Sequence, residues 1–477
     1  MQVAVDTDLI RRYARPLPRY TSYPTAPHFS PDVGPEVFAE EVRTSNAADE
    51  AGPLSLYLHL PFCRQLCYYC GCHMKVTHDP ERISRYLSYL KRDIDRTAEQ
   101  IDTGRRVTQI HWGGGTPTYL SPEEIEGLGR HLRDRFRVAD NAEISLEADP
   151  RELTRKRVEA ARRVGFNRIS IGVQDVDRQV QEAINRIQPE AQVRDAVRWA
   201  REAGFESVNL DLVYGLPHQT TEQFRTTIDT VLDIDPDRIA LFSYAHVPSI
   251  KQHQQLINEE ALPAPAEKLS IFEMALETLT GPGGYRFIGM DHFARPDDEL
   301  ARAQDAGTLY RNFQGYSTRA GADVYAFGIS GIHQLTNLYA QNVKGLRPYY
   351  DRIEGGASPV YRGYRLSDDD HLRRHVIMQL MCNFELDKRA VEQWADDRGT
   401  PIDFNAYFAD ALTALAPLVR DDLVHLSDDA IRVKPLGRLL VRHVAGAFDT
   451  SLSPTSIGPT SAPGDAPSDQ PTYSQSV

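Results

Sequence analysis

Between residues 55 and about 250, short apolar runs rich in β-branched residues alternate with longer amphipathic stretches. The apolar runs predict six strands, at residues 55–62, 107–113, 143–149, 168–175, 207–215 and 238–247. The amphipathic stretches predict helices at residues 83–101, 122–136, 152–164, 190–203 and 221–233. Strand–helix alternation implies parallel pairing through right-handed crossovers. We therefore expect an α/β fold, built as an open, partial (β/α)6 barrel.

The rest of the chain follows other patterns. Residues 1–54 are rich in Arg, Tyr and Pro and show no regular period, which predicts an ordered but irregular segment. We expect the barrel to span residues 55–290, and residues 291–365 to form a barrel extension and connecting loops. Helical patterns around a hairpin at 423–433 predict a smaller, mainly helical, winged-helix-like domain at 366–449. The Ser/Pro-rich residues 450–477 have little to bury, which predicts a disordered tail.

Composition narrows the class of protein. The chain has 477 residues, 41% of them hydrophobic, and a formal net charge of −13, which disfavours nonspecific binding to nucleic acid or to anionic membranes. Its first ten residues lack the apolar core of a signal peptide, and no apolar run approaches a membrane span. We expect a cytoplasmic protein, and nothing demands more than a monomer.

Four of the five cysteines fall within residues 63–72, directly after the first predicted strand. In a reducing cytosol such a group indicates metal ligation rather than disulfides. Cys63, Cys67 and Cys70 have the spacing C-x3-C-x2-C, which favours an iron–sulfur cluster with one open iron. Cys72 could complete the ligand set, and a structural zinc site built from all four cysteines remains an alternative.

Tyr69 directly precedes Cys70, and this C-x3-C-x-aromatic-C pattern resembles the signature of the radical S-adenosylmethionine (SAM) superfamily. The resemblance implies one 4Fe–4S cluster, with three cysteine ligands and SAM on the fourth iron, that yields a 5′-deoxyadenosyl radical. Cys72 would then be a bystander near the cluster. The triplet of glycines at 113–115 follows the second predicted strand, where the superfamily brings bare backbone close to SAM.

A closer resemblance covers the chain to about residue 450. The runs that carry it are RYTSYPTA (19–26), HWGGGTPTYL (111–120), GFNR (165–168), GMDHFARPDDEL (289–300), NFQGY (312–316) and YAQN (339–342). They resemble oxygen-independent coproporphyrinogen III oxidases. The resemblance implies two SAM molecules beside one cluster and oxidative decarboxylation of two propionates of coproporphyrinogen III to vinyl groups, giving protoporphyrinogen IX, with an electron donor that the sequence does not identify.

The same resemblance implies a set of binding residues. The cluster ligands are Cys63, Cys67 and Cys70. The cluster-bound SAM would contact Tyr57, Gly114, Glu147 and Ile332. The second SAM would contact Tyr69, Gly115, Thr116, Gln174, Arg186, Asp211 and Ala245. Tyr69 stands where the family often has Phe.

The expected substrate carries four carboxylates, so an acidic chain needs a local group of cations to bind it. The N-terminal segment, residues 1–54, offers several arginines interleaved with tyrosines, so we expect it to cover the active site. We expect Arg19, Tyr20 and Tyr23 to contact the substrate. Two alternatives of the same lineage stay open: a haem-binding chaperone without oxidase activity, and a radical SAM enzyme that acts on another tetrapyrrole.

Overall fold

The structure, a computed structural model, describes residues 6–47 and 51–459. Its strands are β1 (Leu54–Leu60), β2 (Phe62–Cys63), β3 (Lys75–Val76), β4 (Arg106–Gly114), β5 (Arg137–Ala148), β6 (Arg168–Gln174), β7 (Ser207–Tyr214), β8 (Arg238–Ser243), β9 (Arg286–Gly289), β10 (His292–Ala294), β11 (Tyr310–Asn312), β12 (Gly315–Ser317), β13 (Asp323–Phe327), β14 (Ile332–Gln334), β15 (Leu338–Asn342), β16 (Val360–Arg365), β17 (Glu385–Asp387), β18 (Val424–Leu426) and β19 (Ala430–Val433). Its α-helices are α1 (Thr7–Arg12), α2 (Pro35–Ala47), α3 (Pro80–Ala98), α4 (Pro122–Arg135), α5 (Arg155–Arg163), α6 (Arg178–Ala183), α7 (Glu190–Glu202), α8 (Thr221–Ile234), α9 (Pro265–Thr280), α10 (Glu299–Asp305), α11 (Leu346–Glu354), α12 (Asp368–Asn383), α13 (Lys388–Asp396), α14 (Phe404–Tyr407), α15 (Ala409–Ala414), α16 (Ala416–Arg420), α17 (Val441–Gly446) and α18 (Pro454–Ile457).

The described residues form two compact units. The sheet unit holds residues 29–271 and 321–365, and the second unit holds residues up to 28, 272–320 and those from 366 onward. The expected division between 365 and 366 coincides with a limit between the units. Those at 54 and 290 do not, because residues 29–54 belong to the sheet unit and residues 272–290 do not.

All six predicted parallel strands are present in the sheet unit. Its strands run in the order β16-β15-β14-β13-β1-β4-β5-β6-β7-β8. Neighbours from β13 through β8 pair in parallel, whereas β14, β15 and β16 are antiparallel additions. β1 shows the buried character of a central parallel strand, because six of its seven residues are buried. The expected α/β fold with a parallel core is confirmed.

Helix boundaries follow from local chemistry. α4 begins with Pro122 after a capping box, in which the Ser121 hydroxyl accepts from the Glu124 N–H at 3.2 Å and the Glu124 carboxylate accepts from the Ser121 N–H at 2.8 Å. α3 likewise begins with a proline after an aspartate cap, Asp79. These caps fix where each crossover leaves the sheet edge.

The second unit contains the predicted C-terminal hairpin, β18 and β19, joined by β17 into a three-stranded sheet beside α12 and α13.

Two expectations need correction. The N-terminal segment is not wholly irregular, since α2 buries Phe38 and Val42 four residues apart. The predicted disordered tail starts too early, because α18 is helical and Ile457 is 2% exposed. Residues 460–477 of that tail lie outside the described residues.

Candidate functional site

The cysteine loop leaves the sheet directly after β1. Cys63 ends β2, and the loop returns through β3, which pairs with β2 in parallel. All five cysteines of the chain are free thiols. Burial raises the pKa of Cys63 to about 12, while the Thr116 hydroxyl lies 3.3 Å from its sulfur and opposes that rise. Cys67 and Cys70 lie close enough to Cys63 for their charges to act on it.

Two guanidinium groups point at the sulfur of Cys67. The Nη2 of Arg151 lies 3.3 Å from this sulfur, and the Nη1 of Arg186 lies 3.5 Å from it. Both arginines also donate to Asp149 Oδ2, at 2.6 Å and 2.8 Å. Burial raises the pKa of Asp149, but the arginines outweigh burial and bring it to about 2. Donors of this kind stabilise a thiolate, which is the form that binds iron.

Cys72 is the exposed cysteine of the loop, whereas Cys63 and Cys70 are partly buried and Cys67 is buried. Its thiol and its backbone N–H, which lies 3.4 Å from the Cys70 sulfur, act as donors and lower the pKa of Cys70. The same contact with Cys70 raises the pKa of Cys72. The backbone N–H of Cys72 is thus placed to donate to the sulfur of Cys70.

The glycine triplet lies against the start of the cysteine loop and requires bare backbone. A Cβ on Gly115 would come within 2.6 Å of the Pro61 carbonyl, and its N–H already donates to Leu60 O at 2.8 Å. Gly114 has a φ of +116°, and a Cβ there would come within 2.5 Å of the His59 ring. Only glycine fits at these two positions.

Polar side chains of β1, β4 and β5 lie on one face of the sheet beside the glycine triplet. Tyr57 stacks on His111 with ring centroids 5.9 Å apart, and His111 Nδ1 lies 2.7 Å from the Ser145 hydroxyl. Glu147 Oε2 accepts from the Gly114 N–H at 2.9 Å, and its Oε1 lies 3.7 Å from His111 Nε2. Burial raises the pKa of Glu147, but His111 and the Gly114 N–H lower it below its usual range. An ionised carboxylate therefore faces the glycine triplet.

Strands β6 and β7 contribute a second group of polar side chains. Burial raises the pKa of Asp211 to about 7, although Ser170 and Asn209 donate to it at 2.8 Å and 2.7 Å. Gln174 ends β6 with a φ of +66°, and a Cβ on Gly172 would come within 2.6 Å of its amide nitrogen and 2.9 Å of Arg186. The Nε of Arg186 is buried without a hydrogen-bond partner among the described residues.

Backbone contacts bring in Tyr69 and Ala245, the remaining residues expected at the second SAM. The Gln254 amide donates to Tyr69 O at 3.0 Å and to Ala245 O at 3.3 Å. Ile332 lies at the start of β14, opposite Gln341 of β15. The sheet unit thus contains every residue expected at the cluster and at SAM.

These residues fit a cluster and SAM. Three thiols of one loop suit a cubane with an open iron, glycine backbone leaves room for a ligand, and the buried Nε of Arg186 is a donor that still lacks an acceptor.

Comparisons with known proteins agree with this chemistry. The model of the Radical SAM superfamily matches residues 57–231, and that of the HemN C-terminal domain matches residues 366–440. Oxygen-independent coproporphyrinogen III oxidase of Synechocystis sp. is 45% identical over 450 residues, which cover 94% of this chain and 96% of the relative. The Escherichia coli protein of that name is 46% identical over 451 residues, with the same two coverages. This chain belongs to the oxygen-independent coproporphyrinogen III oxidase family.

The solved structure of E. coli coproporphyrinogen III oxidase (HemN), described there as a radical SAM enzyme, matches with a TM-score of 0.89 at 45% identity. The match covers 95% of this chain and all of that one. Membership of the oxidase family places the chain in the radical SAM superfamily, which implies a 4Fe–4S cluster and SAM.

The sequence prediction missed several residues that this family member uses to build the site. Asp149 and Arg151 directly follow β5 at the carboxyl edge of the sheet, where ligands bind, so their position could have identified them as site residues. His59 and His111 flank Tyr57 in the sheet, and the period of two places His59 on the same face. Nothing in the sequence indicated that Gln254 lies at the site, because a long loop separates it from β8.

The three residues expected at the substrate lie in the second unit of this oxidase family member. Arg19 pairs with Asp291. The Tyr20 hydroxyl donates to Asp449 at 3.0 Å, and the Tyr23 hydroxyl lies 3.2 Å from that of Thr450. Tyr20 and Tyr23 are only 1% and 2% exposed, so both phenol hydroxyls make their hydrogen bonds within the protein interior.

In the described part of the chain, no helix combines the length and the apolar character needed to cross a bilayer.

Proposed function

We propose that this chain catalyses the oxygen-independent oxidative decarboxylation of coproporphyrinogen III, converting two propionates to vinyl groups and giving protoporphyrinogen IX. One observation carries the proposal. A three-cysteine loop lies against a glycine triplet and an ionised Glu147, in a chain 46% identical over 94% of its length to an E. coli oxidase of that name.

The proposal assigns the cofactors to particular residues. Cys63, Cys67 and Cys70 would each bind one iron, and Cys72 would stay outside the ligand set. When bound, the cluster and SAM supply a 5′-deoxyadenosyl radical that removes a hydrogen atom from the substrate. Arg151 and Arg186 donate to the sulfur of Cys67 at 3.3 Å and 3.5 Å.

Two SAM molecules are proposed. Tyr57, Gly114, Glu147 and Ile332 would contact the cluster-bound molecule, and the charge on Glu147 suits its ammonium group. Contacts to the second molecule would come from Tyr69, Gly115, Thr116, Gln174, Arg186, Asp211 and Ala245. The unpartnered Nε of Arg186 and the positive φ of Gln174 support a ligand at this end of the sheet.

Substrate and partner assignments are also proposals. Arg19 stays a proposed contact for a propionate, whereas burial of Tyr20 and Tyr23 favours a structural role for both. A cellular one-electron donor must reduce the cluster. We place the reaction in the cytoplasm, because clustered free thiols suit a reducing compartment, and we propose that the protein acts as a monomer.

Anaerobic incubation with SAM, dithionite and coproporphyrinogen III tests the function. Mass analysis should show the loss of two carbon dioxide molecules per porphyrinogen, with methionine and 5′-deoxyadenosine formed alongside. Tight haem binding without decarboxylation would instead identify a haem-binding chaperone. Conversion of a different tetrapyrrole would identify another radical SAM activity.

A further inference from the structure

Three lysines lie close enough to His73, where the cysteine loop returns to the sheet, for their positive charges to act on its ring. Lys75 lies on β3, Lys251 follows β8, and Lys344 follows β15, so three separate stretches of the sheet unit contribute. Lys251 Nζ donates to Cys72 O at 3.2 Å, and His73 Nε2 lies 2.7 Å from Lys344 O. We call Lys75, Lys251 and Lys344 the lysine rim.

The charges of the lysine rim are not compensated by acidic groups. Among the residues that the structure describes, none of the three ammonium groups forms an ion pair with a carboxylate. Burial lowers the pKa of His73, and the positive charges of all three lysines lower it further. Burial also lowers the pKa of Lys344, and Arg362 and Lys251 add to this effect. A group of like charges is unfavourable by itself and becomes favourable when an anion binds.

The lysine rim lies next to the reaction site. His59 Nε2 lies 2.8 Å from His73 O, and the other ring nitrogen of His59 lies 3.1 Å from the Tyr57 hydroxyl. Two hydrogen bonds therefore separate the residue at the centre of the rim from Tyr57, on the face that carries Glu147. A chain with a net charge of −13 repels anions at long range, so a cationic group at this place is a specific feature.

We propose that Lys75, Lys251 and Lys344 bind propionate carboxylates of the porphyrinogen. The proposal rests on the proposed function for the identity of the substrate. Four propionates must be held while one reacts at a time, and ammonium groups from three stretches suit carboxylates on different pyrrole rings. Charge-assisted hydrogen bonds of this kind are strong enough to set affinity.

The test uses the full-length, anaerobically reconstituted protein and two fluorescent probes, coproporphyrin III and its tetramethyl ester, which lacks the charges. Lys75→Gln, Lys251→Gln and Lys344→Gln should each weaken coproporphyrin III binding about tenfold, the size expected for one charged hydrogen bond. Lys251→Arg and Lys344→Arg should retain most of the affinity. The matched control is Lys156→Gln, at an exposed position on α5, which should bind as the wild type does.

With dithionite as reductant, the glutamine variants should raise the KM for coproporphyrinogen III and leave substrate-free cleavage of SAM unchanged, which shows that the cofactor site is intact. Unchanged dissociation constants would overturn the proposal, and so would an equal loss of affinity for the ester. A normal KM with dithionite, but slow turnover with a protein reductant, would assign the rim to the electron donor instead. Lysine-dependent binding without decarboxylation by the wild type would contradict the proposed function and leave the rim in place.

Discussion

Arg186 donates a hydrogen bond to the sulfur of Cys67 over 3.5 Å, from the same Nη1 that lies 2.8 Å from Asp149 Oδ2. Its Nη2 donates to the carbonyl of Gly172 at 2.6 Å. One buried side chain thus joins the cysteine loop to the ends of β5 and β6. The thiol that we propose as an iron ligand is held by the sheet as well as by its own loop.

Replacing Arg186 with Met should lower the free energy of unfolding by about 3–5 kcal/mol, because it leaves the carboxylate of Asp149 buried without one of its two cationic partners. Arg186→Lys should recover part of this loss, since an ammonium group restores the charge but not the fork of donors. Urea unfolding under anaerobic conditions measures both changes.

The matched control is Arg155→Met. Arg155 pairs with Glu202 at the surface and is 56% exposed, so its loss should cost less than about 1 kcal/mol. Equal costs for the two arginines would show that Arg186 does not anchor the loop.

Changing Cys63, Cys67 or Cys70 to Ala should abolish the cluster, because two thiolates are too few to hold a cubane whose fourth iron already has no protein ligand. Cys72→Ala should retain the cluster, since alanine keeps the backbone N–H that donates to the sulfur of Cys70. Iron and sulfide analysis of anaerobically reconstituted variants measures the result. A cluster that survives in Cys70→Ala and disappears in Cys72→Ala would reverse the assignment.

The parallel core was predictable because its evidence is local. Each of the six strands is an apolar run followed by polar or glycine residues, and the structure places each within a few residues of its predicted position. The strands β13 to β16 escaped prediction because they contain three to six residues each, and polar and glycine-rich loops separate them. Such short runs carry too few residues to show a period.

The site was predicted less completely than the fold. The family resemblance indicated Glu147 and Asp211 as SAM contacts. The pairing of Arg151 with Cys67 joins residues 84 apart and follows only from tertiary structure. The N-terminal tyrosines show the same limit. Their density suggested ligand binding, whereas Tyr20 is buried against Asp449, 429 residues along the chain. Deleting this segment would remove buried core residues such as Leu9 and Leu17, so point variants are the better test.

Glu147→Gln should weaken SAM binding by at least about tenfold without loss of the cluster. The amide can still accept from the Gly114 N–H but lacks the negative charge that suits an ammonium group. Equilibrium binding of SAM, together with iron content, measures the two effects separately. Glu222→Gln, at an exposed position on α8, should bind SAM normally. Full SAM affinity in Glu147→Gln would exclude an ionic role for this carboxylate.

Arg19→Gln should raise the KM for coproporphyrinogen III by at least about tenfold if its guanidinium binds a propionate, since a charged hydrogen bond contributes about 1.5–3 kcal/mol. Its partner Asp291 provides the matched comparison, because Asp291→Asn breaks the same ion pair but keeps the guanidinium. A substrate role predicts a higher KM in Arg19→Gln alone. Equal effects in both variants would mean that the ion pair matters only for folding.

Asp211 should make the protein less stable as the pH rises from about 4 to about 7. Burial raises its pKa to about 7 in the folded protein, whereas an aspartate in an unfolded chain titrates near 3.9. Between these values the folded state holds a proton that the unfolded state has released, so the free energy of unfolding falls with increasing pH. Asp211→Asn is neutral throughout and should remove this component, so its stability relative to the wild type should increase across the interval. Urea unfolding at several pH values measures the difference, with Asp229→Asn, at an exposed position on α8, as the control. A constant difference between wild type and Asp211→Asn from pH 4 to pH 7 would show that Asp211 is already ionised in the folded protein.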